Sequence, residues 1–173
     1  MSDNNSRNSK TQKLATRAML VAVAFVLSWL EAQIPAFFAV PGMKLGLTNL
    51  VVLVALYRLG YKDAIGINLL RILLVGLTFG NAFSLIYSAA GGILSGITMI
   101  LLKRSGRFGV TAVSVAGGVI HNVGQIIVAM IVLETSSIAY YLIVLWASGI
   151  AAGAIIGIIS MLIIKRLPQN IAG

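Results

Sequence analysis

The sequence contains no cysteine, one histidine and only four acidic residues among its 173 residues. The absence of cysteine excludes disulfides, a thiolate nucleophile and a cysteine-based metal site. The four carboxylates are scattered, so they form neither an acid–base pair nor the ligand cluster that Mg²⁺-diphosphate chemistry requires. P-loop, HExxH and GxSxG motifs are also absent. The sequence therefore predicts a protein that is not an enzyme and has no cofactor and no metal site.

Charge of either sign is scarce along the whole chain. Charged residues make up 10% of the sequence and hydrophobic residues 59%, with a mean hydropathy of +1.00. A soluble domain of this size needs more polar surface. Several apolar runs approach the ~20 residues that cross a ~30 Å hydrocarbon core. We therefore expect a multi-pass membrane protein whose surroundings are the lipid bilayer.

The apolar runs predict an all-α membrane protein with six transmembrane helices. Residues 1–13 are polar and are expected to form a disordered cytoplasmic tail, while 14–166 form the transmembrane domain and 167–173 a short cytoplasmic tail. The predicted spans cover residues 14–30, 45–59, 63–79, 84–102, 110–133 and 139–164.

The basic residues indicate how these spans are oriented. Of the thirteen Lys and Arg residues, eleven fall on one side if the chain crosses six times. Lys44 falls on the other side with Glu31 and Glu134, and Arg71 lies within span three. The positive-inside rule then places both termini in the cytoplasm. This arrangement accounts for the net charge of +9 without a nucleic-acid partner.

Arg71 is the one basic residue near the midplane of a predicted span. Asn68 precedes it by three residues and shares its helical face. An ionisable group at this depth faces a bundle interior or a cavity. Two interpretations stay open: the guanidinium ties helices together through carbonyl and amide groups, or it binds an anionic group of a ligand.

The stretch GGVIHNVGQIIVAM in span five combines glycines with polar side chains. Gly117, His121, Gly124 and Gln125 share one helical face, with Asn122 beside it. Such a face suits the wall of a ligand pocket, and it suits a tight polar seam between helices equally well. The lone histidine lacks the companions of a metal site.

The segment EAQIPAFFAVPGMK, residues 31–44, is the longest connection on the predicted outer side. It is apolar and ends in Lys44, so we expect it to lie over the bundle. Asn49 follows one turn inside span two, and Tyr87 and Ser88 lie at a similar depth in span four. Together these residues are candidates for the mouth of a ligand site, although Lys44 also suits an interfacial anchor.

Small residues repeat every four positions in three spans: Gly149, Gly153 and Gly157, Gly92 and Gly96, and Ala18 and Ala22. This spacing lets helix backbones approach closely within a membrane. We expect the glycines to pack inside the bundle.

The stretch VPGMKLGLTNLVVLVALYRLGYKDAIGINLLRILLVGLTFG, residues 40–80, resembles the membrane substrate-binding (S) components of energy-coupling-factor (ECF) transporters. The Pro-Gly-x-Lys-Leu-Gly-Leu opening and the Leu-Leu-Arg of span three carry the likeness. HNVGQ in span five narrows it to the Gx transporter family, often labelled heptaprenyl diphosphate synthase component I. The resemblance covers roughly residues 14–166.

This resemblance implies a six-helix bundle in the bacterial cytoplasmic membrane that binds a small molecule from outside. It also implies that Ala18 and Ala22 dock onto an ECF scaffold subunit, which works with separate ATPases. The ligand-binding candidates are Lys44, Asn49, Arg71, Tyr87, His121, Asn122 and Gln125. The alternative is a non-catalytic accessory protein of isoprenoid or quinone metabolism, since the Asp-rich motifs of prenyl synthases are missing. A carrier coupled to ions or protons ranks last because the spans hold no buried carboxylates.

Overall fold

The helices of the chain follow the predicted spans one for one. The computed structural model describes residues 2–33, 46–80, 82–134 and 136–168, and this part of the chain contains six α-helices, one 3₁₀ helix and no strand. The all-α prediction is confirmed. In chain order the elements are α1 Ser2–Gln33, α2 Leu47–Arg58, α3 Tyr61–Thr78, α4 Ala82–Arg104, α5 Val110–Val132, the 3₁₀ helix Ser136–Tyr141, and α6 Leu142–Arg166.

α1 begins much earlier than the first predicted span. Residues 2–13, which the sequence predicts as a disordered tail, are helical in the structure. No glycine or proline occurs between residues 2 and 33. A helix nucleated in the apolar part can therefore extend through the polar residues, because each further residue adds one hydrogen bond without a new nucleation step.

Four helical segments of the described residues are long and apolar enough to cross a membrane, namely Lys10–Gln33, Ala82–Arg104, Val110–Val132 and Ser137–Arg166. α2 has only 12 residues, and its length of about 18 Å is shorter than a ~30 Å hydrocarbon core. α3 is longer but carries Lys62, Asp63 and Arg71. The chain is thus a membrane protein with several long apolar helices, and the crossing by α2 and α3 remains a prediction.

α2 is the centre of the bundle. Residues 51–56 are all buried, with Leu53 fully buried and Leu56 1% exposed. A helix segment that is apolar on every side lies in a protein core or in a membrane, and here other helices cover it. α2 accordingly contacts α1, α3, α5 and α6. The burial of all its faces explains how so short a helix is held in place.

Glycines bring α5 and α6 close together, as their spacing predicts. A Cβ atom on Gly153 would lie 2.7 Å from Cα of Val115, and one on Gly157 would lie 2.7 Å from Cα of Thr111. Both distances are too short for any real side chain, so only glycine permits this approach. Gly149 is buried at the same seam.

The two ends of the bundle differ in charge. At one end, Arg17 of α1 pairs with Asp63 of α3 at 2.9 Å, and the Lys103 ammonium of α4 donates to the carbonyl O of Leu56 in α2. We call this the basic end. At the opposite end, the backbone N–H of Gly46 donates to a carboxylate oxygen of Glu31, which joins the end of α1 to the start of α2.

Candidate ligand-binding cavity

A cavity of about 240 Å³ lies at the end of the bundle opposite the basic end. We call it the Arg71 cavity, after one of its lining residues. Parts of α1, α2, α3, α4 and α5 line it, so five helices contribute to one space. Val75 and Phe79 are among its apolar lining residues. Its polar lining consists of Ser28, Glu31, Thr48, Asn49, Arg71, Ser84, Ser88 and His121. A cavity with apolar walls and a few convergent polar groups has the composition of a small-molecule site.

Arg71 is the buried charge of this cavity. The Arg71 residue is 7% exposed, and the Nη2 of Arg71 donates to Oδ1 of Asn68 at 2.6 Å. The Asn68 amide in turn donates to the carbonyl O of Gly92 in α4 at 3.0 Å. Among the described residues, Nε of Arg71 has no hydrogen-bond partner. The guanidinium is therefore oriented from one side by Asn68, and its Nε is a buried donor without a partner in the described part of the chain.

Glu31 is the residue of this site that the sequence analysis missed. The sequence assigns it to the outer loop and leaves Arg71 without an acidic neighbour, whereas the structure places Glu31 in the last turns of α1. There its carboxylate lines the same cavity and interacts electrostatically with Arg71. The signal available in the sequence was weak: Glu31 is one of four acidic residues and ends the first apolar run.

His121 is positioned on the cavity wall by a glycine of the neighbouring helix. A Cβ atom on Gly91 of α4 would lie 2.8 Å from the carbonyl O of His121 and 3.1 Å from its ring Cε1. Gly91 therefore allows α4 and α5 to approach until the imidazole reaches the space between them. His121 also lines a smaller adjacent cavity of about 20 Å³.

The two amides of α5 have different environments. Asn122 is 5% exposed, and its Nδ2 donates to the carbonyl O of Leu145 in α6 at 2.7 Å. Gln125 is 1% exposed and does not line the Arg71 cavity. Neither the oxygen nor the nitrogen of its side-chain amide has a hydrogen-bond partner in the described part of the chain. In this stretch, therefore, His121 lies at the cavity and Asn122 lies in a polar seam, and ligand binding by either residue stays a prediction.

Of the remaining candidate residues, some line the Arg71 cavity and others do not. Asn49 is half-buried and lines the Arg71 cavity, and Ser88 also lines it. Tyr87 is 8% exposed and outside the lining, and its ring stacks on Phe83 with centroids 5.7 Å apart. Lys44 falls outside the described residues. The structure therefore brings Asn49, Arg71 and His121 together and places the other described candidates apart from them.

Ala18 and Ala22 lie on an exposed face of α1. Arg17, next to Ala18, is held by its two contacts with Asp63, at 2.9 Å and 3.2 Å. This face is open in the structure, and its docking role is a prediction.

We expect Asn122→Ala to lower the stability of the protein and Gln125→Met to leave it unchanged or raise it. Losing the Asn122 bond removes a buried interhelical contact, with a cost of about 1–3 kcal/mol. Gln125→Met keeps the side-chain length and removes a buried amide with no partner, so stability should stay equal or rise. Thermal unfolding in detergent measures both. A larger loss for Gln125→Met than for Asn122→Ala would contradict this assignment.

Comparison with known proteins gives one clear result. Neither a curated protein nor a solved structure matches the chain significantly. The sequence profile of the family described as heptaprenyl diphosphate synthase component I matches residues 20–163, which include the second part of α1, all of α2 to α5, and most of α6. This confirms the family resemblance of the HNVGQ stretch. The chain therefore belongs to the heptaprenyl diphosphate synthase component I family.

Proposed function

We propose that this protein is the membrane-embedded substrate-binding component of an ECF-type uptake transporter. In this proposal a small molecule enters the Arg71 cavity from the outer face of the bacterial cytoplasmic membrane, and a separate ATPase module supplies the energy. The observation that carries the proposal is a buried guanidinium in a residue that lines a cavity, with an Nε that has no hydrogen-bond partner in the described part of the chain. An ionisable group within a membrane bundle is costly to bury, and such groups commonly face a cavity and mark a functional site.

The charges of the cavity define the ligand chemistry. Arg71 offers a positive charge and guanidinium N–H groups, which suit a carboxylate or phosphate. Glu31 contributes a negative charge to the same space, so a purely anionic molecule would meet repulsion there. The proposed ligand has an anionic group for Arg71 and a cationic or hydrogen-bond-donating group for Glu31, with Asn49, Ser88 and His121 as further polar contacts.

The cavity composition favours binding over catalysis. Its lining holds one carboxylate and one imidazole, and in the described residues no group of three His, Asp or Glu side chains lies close enough to hold a metal ion. The whole sequence has four acidic residues, fewer than the Asp-rich motifs of diphosphate chemistry need. We therefore propose a non-catalytic role.

The charge distribution supports entry from outside. Arg17, Lys103 and Arg104 lie at the basic end, which is the cytoplasmic end by the positive-inside rule. The cavity lies at the other end, lined by Glu31 near the end of α1 and by Gly46 before the start of α2. Residues 34–45, including Lys44, lie outside the described part of the chain, and their place over the ligand site stays a prediction.

A second candidate function rests on the family description. A component I of heptaprenyl diphosphate synthase acts with a partner component, so this chain is then an accessory protein that presents an isoprenoid or quinone precursor without ATP-driven import. The exposed Ala18–Ala22 face of α1 favours the first candidate, because a small-residue helix face suits close docking onto another membrane helix.

Small molecules that co-purify with the detergent-solubilised protein test the cavity. We expect mass spectrometry to detect one bound species in the wild type and at least about tenfold less in Arg71→Gln and His121→Ala, the loss of one strong polar contact. Arg107→Gln and Tyr140→Ala, at exposed positions outside the cavity lining, serve as matched controls and should retain it. If both cavity variants retain the species at wild-type level, the cavity does not bind it.

Capture of an ATPase module tests the coupling. Tagged protein in lipid nanodiscs should retain a scaffold subunit and ATPases from its own membranes, and Ala18→Trp should abolish retention by filling the small-residue face. Val23→Trp is the control, because Val23 is also exposed on α1 (43%) but is neither three nor four residues from Ala18 or Ala22, so it lies on a different face. Retention by Ala18→Trp would contradict docking through the Ala18–Ala22 face. Absence of a module on the wild type would contradict the transporter proposal and leave the accessory role.

A further inference from the structure

A second cavity of about 220 Å³ lies between α2, α3 and α4, separate from the Arg71 site. Its lining is apolar except for Asn68. Gly96 forms part of its wall, and a Cβ atom there would meet only the Asn68 amide nitrogen, at 3.8 Å. The space therefore exists because α4 carries no side chain at this position. We call it the α3–α4 groove.

The α3–α4 groove opens sideways rather than toward either end of the bundle. Ile65 and Leu69 of α3 and Ile93 and Ile97 of α4 line it and are 42–50% exposed. With α3 and α4 in the bilayer, these faces meet lipid tails. A hydrocarbon chain is the group that fits such an opening, because burying a polar molecule there would cost its hydration.

A polar contact closes the groove toward the Arg71 cavity. The side-chain N–H of Asn68 donates to the carbonyl O of Gly92 at 3.0 Å, and the Oδ1 of Asn68 accepts a hydrogen bond from Arg71. From this wall the groove runs toward the basic end, where Leu56 and Ile100 line it. It is therefore a lateral groove that is closed at its Asn68 end and extends toward the basic end.

Two cations lie where the groove ends. Lys103 donates to the carbonyl O of Leu56, a lining residue. Arg104 lies 5.7 Å from the ring centre of Tyr61. The two cations follow Ile100 by three and four residues, so they share its helical face. The α3–α4 groove is thus apolar and ends near two cations and an exposed tyrosine. Such a site complements an amphiphile with an anionic headgroup.

We propose that the α3–α4 groove binds an anionic phospholipid of the leaflet at the basic end. One acyl chain lies along Gly96 and Ile97, and the phosphate contacts Lys103 and Arg104. Basic pockets between membrane helices on the cytoplasmic side recognise anionic headgroups in this way. The lateral opening favours a bilayer lipid over a water-soluble amphiphile. This site does not depend on the proposed transport function.

Native mass spectrometry of the full-length protein in mixed micelles tests the proposal. With equal phosphatidylglycerol and phosphatidylcholine, we expect one retained phosphatidylglycerol in large excess over phosphatidylcholine. Gly96→Leu fills the groove and Arg104→Gln removes a cation, and each should lower retention about fivefold or more. The controls are Gly66→Leu, at an exposed α3 position with open space around it, and Arg107→Gln.

Three results would overturn the proposal: equal retention of the two lipids, unchanged retention in both test variants, or full displacement of phosphatidylglycerol by equimolar farnesyl diphosphate. The last would assign the groove to a prenyl chain. Arg104 is exposed, so Arg104→Gln keeps the test valid if Gly96→Leu does not fold.

Discussion

The burial of the Arg71 charge is the constraint on which the rest of this structure depends. A guanidinium inside an apolar bundle requires partners, and the chain supplies Asn68 on the same helix and Glu31 on α1. Asn68 is held in turn by the Gly92 carbonyl. A Cβ atom on Gly92 would lie 2.7 Å from the Ile72 side chain, so the glycine allows α3 and α4 to approach. One charge thus fixes the relation of three helices.

The same constraint separates two environments within the bundle. On one side of the Asn68–Gly92 contact lies a cavity with Arg71, Glu31 and His121, and on the other lies the apolar α3–α4 groove. Glu31 also accepts the Gly46 N–H, so the counter-charge of Arg71 is tied to both ends of the connection between α1 and α2. An anionic group that binds Arg71 would compete with Glu31 at this point, which links the proposed site to the start of α2 through Gly46.

The sequence was sufficient to predict what depends on neighbouring residues along one helix. The six helices, the packing of Gly153 and Gly157, and the pairing of Asn68 with Arg71 all follow from spacing. The rotation of each helix against its neighbours did not follow. Asn122 and His121 are adjacent, yet one faces α6 and the other the cavity. The surroundings of Tyr87 and Glu31 could not be predicted for the same reason, because other helices supply them.

The most direct test of the account is the side from which the Arg71 cavity can be reached. The chain has no cysteine, so a single cysteine can be introduced as Ser84→Cys at the cavity or as Ser105→Cys at the basic end. In intact cells, a membrane-impermeant anionic thiosulfonate should modify Ser84→Cys from outside and Ser105→Cys only after permeabilisation. Modification of Ser84→Cys only after permeabilisation would contradict an outward-facing ligand site.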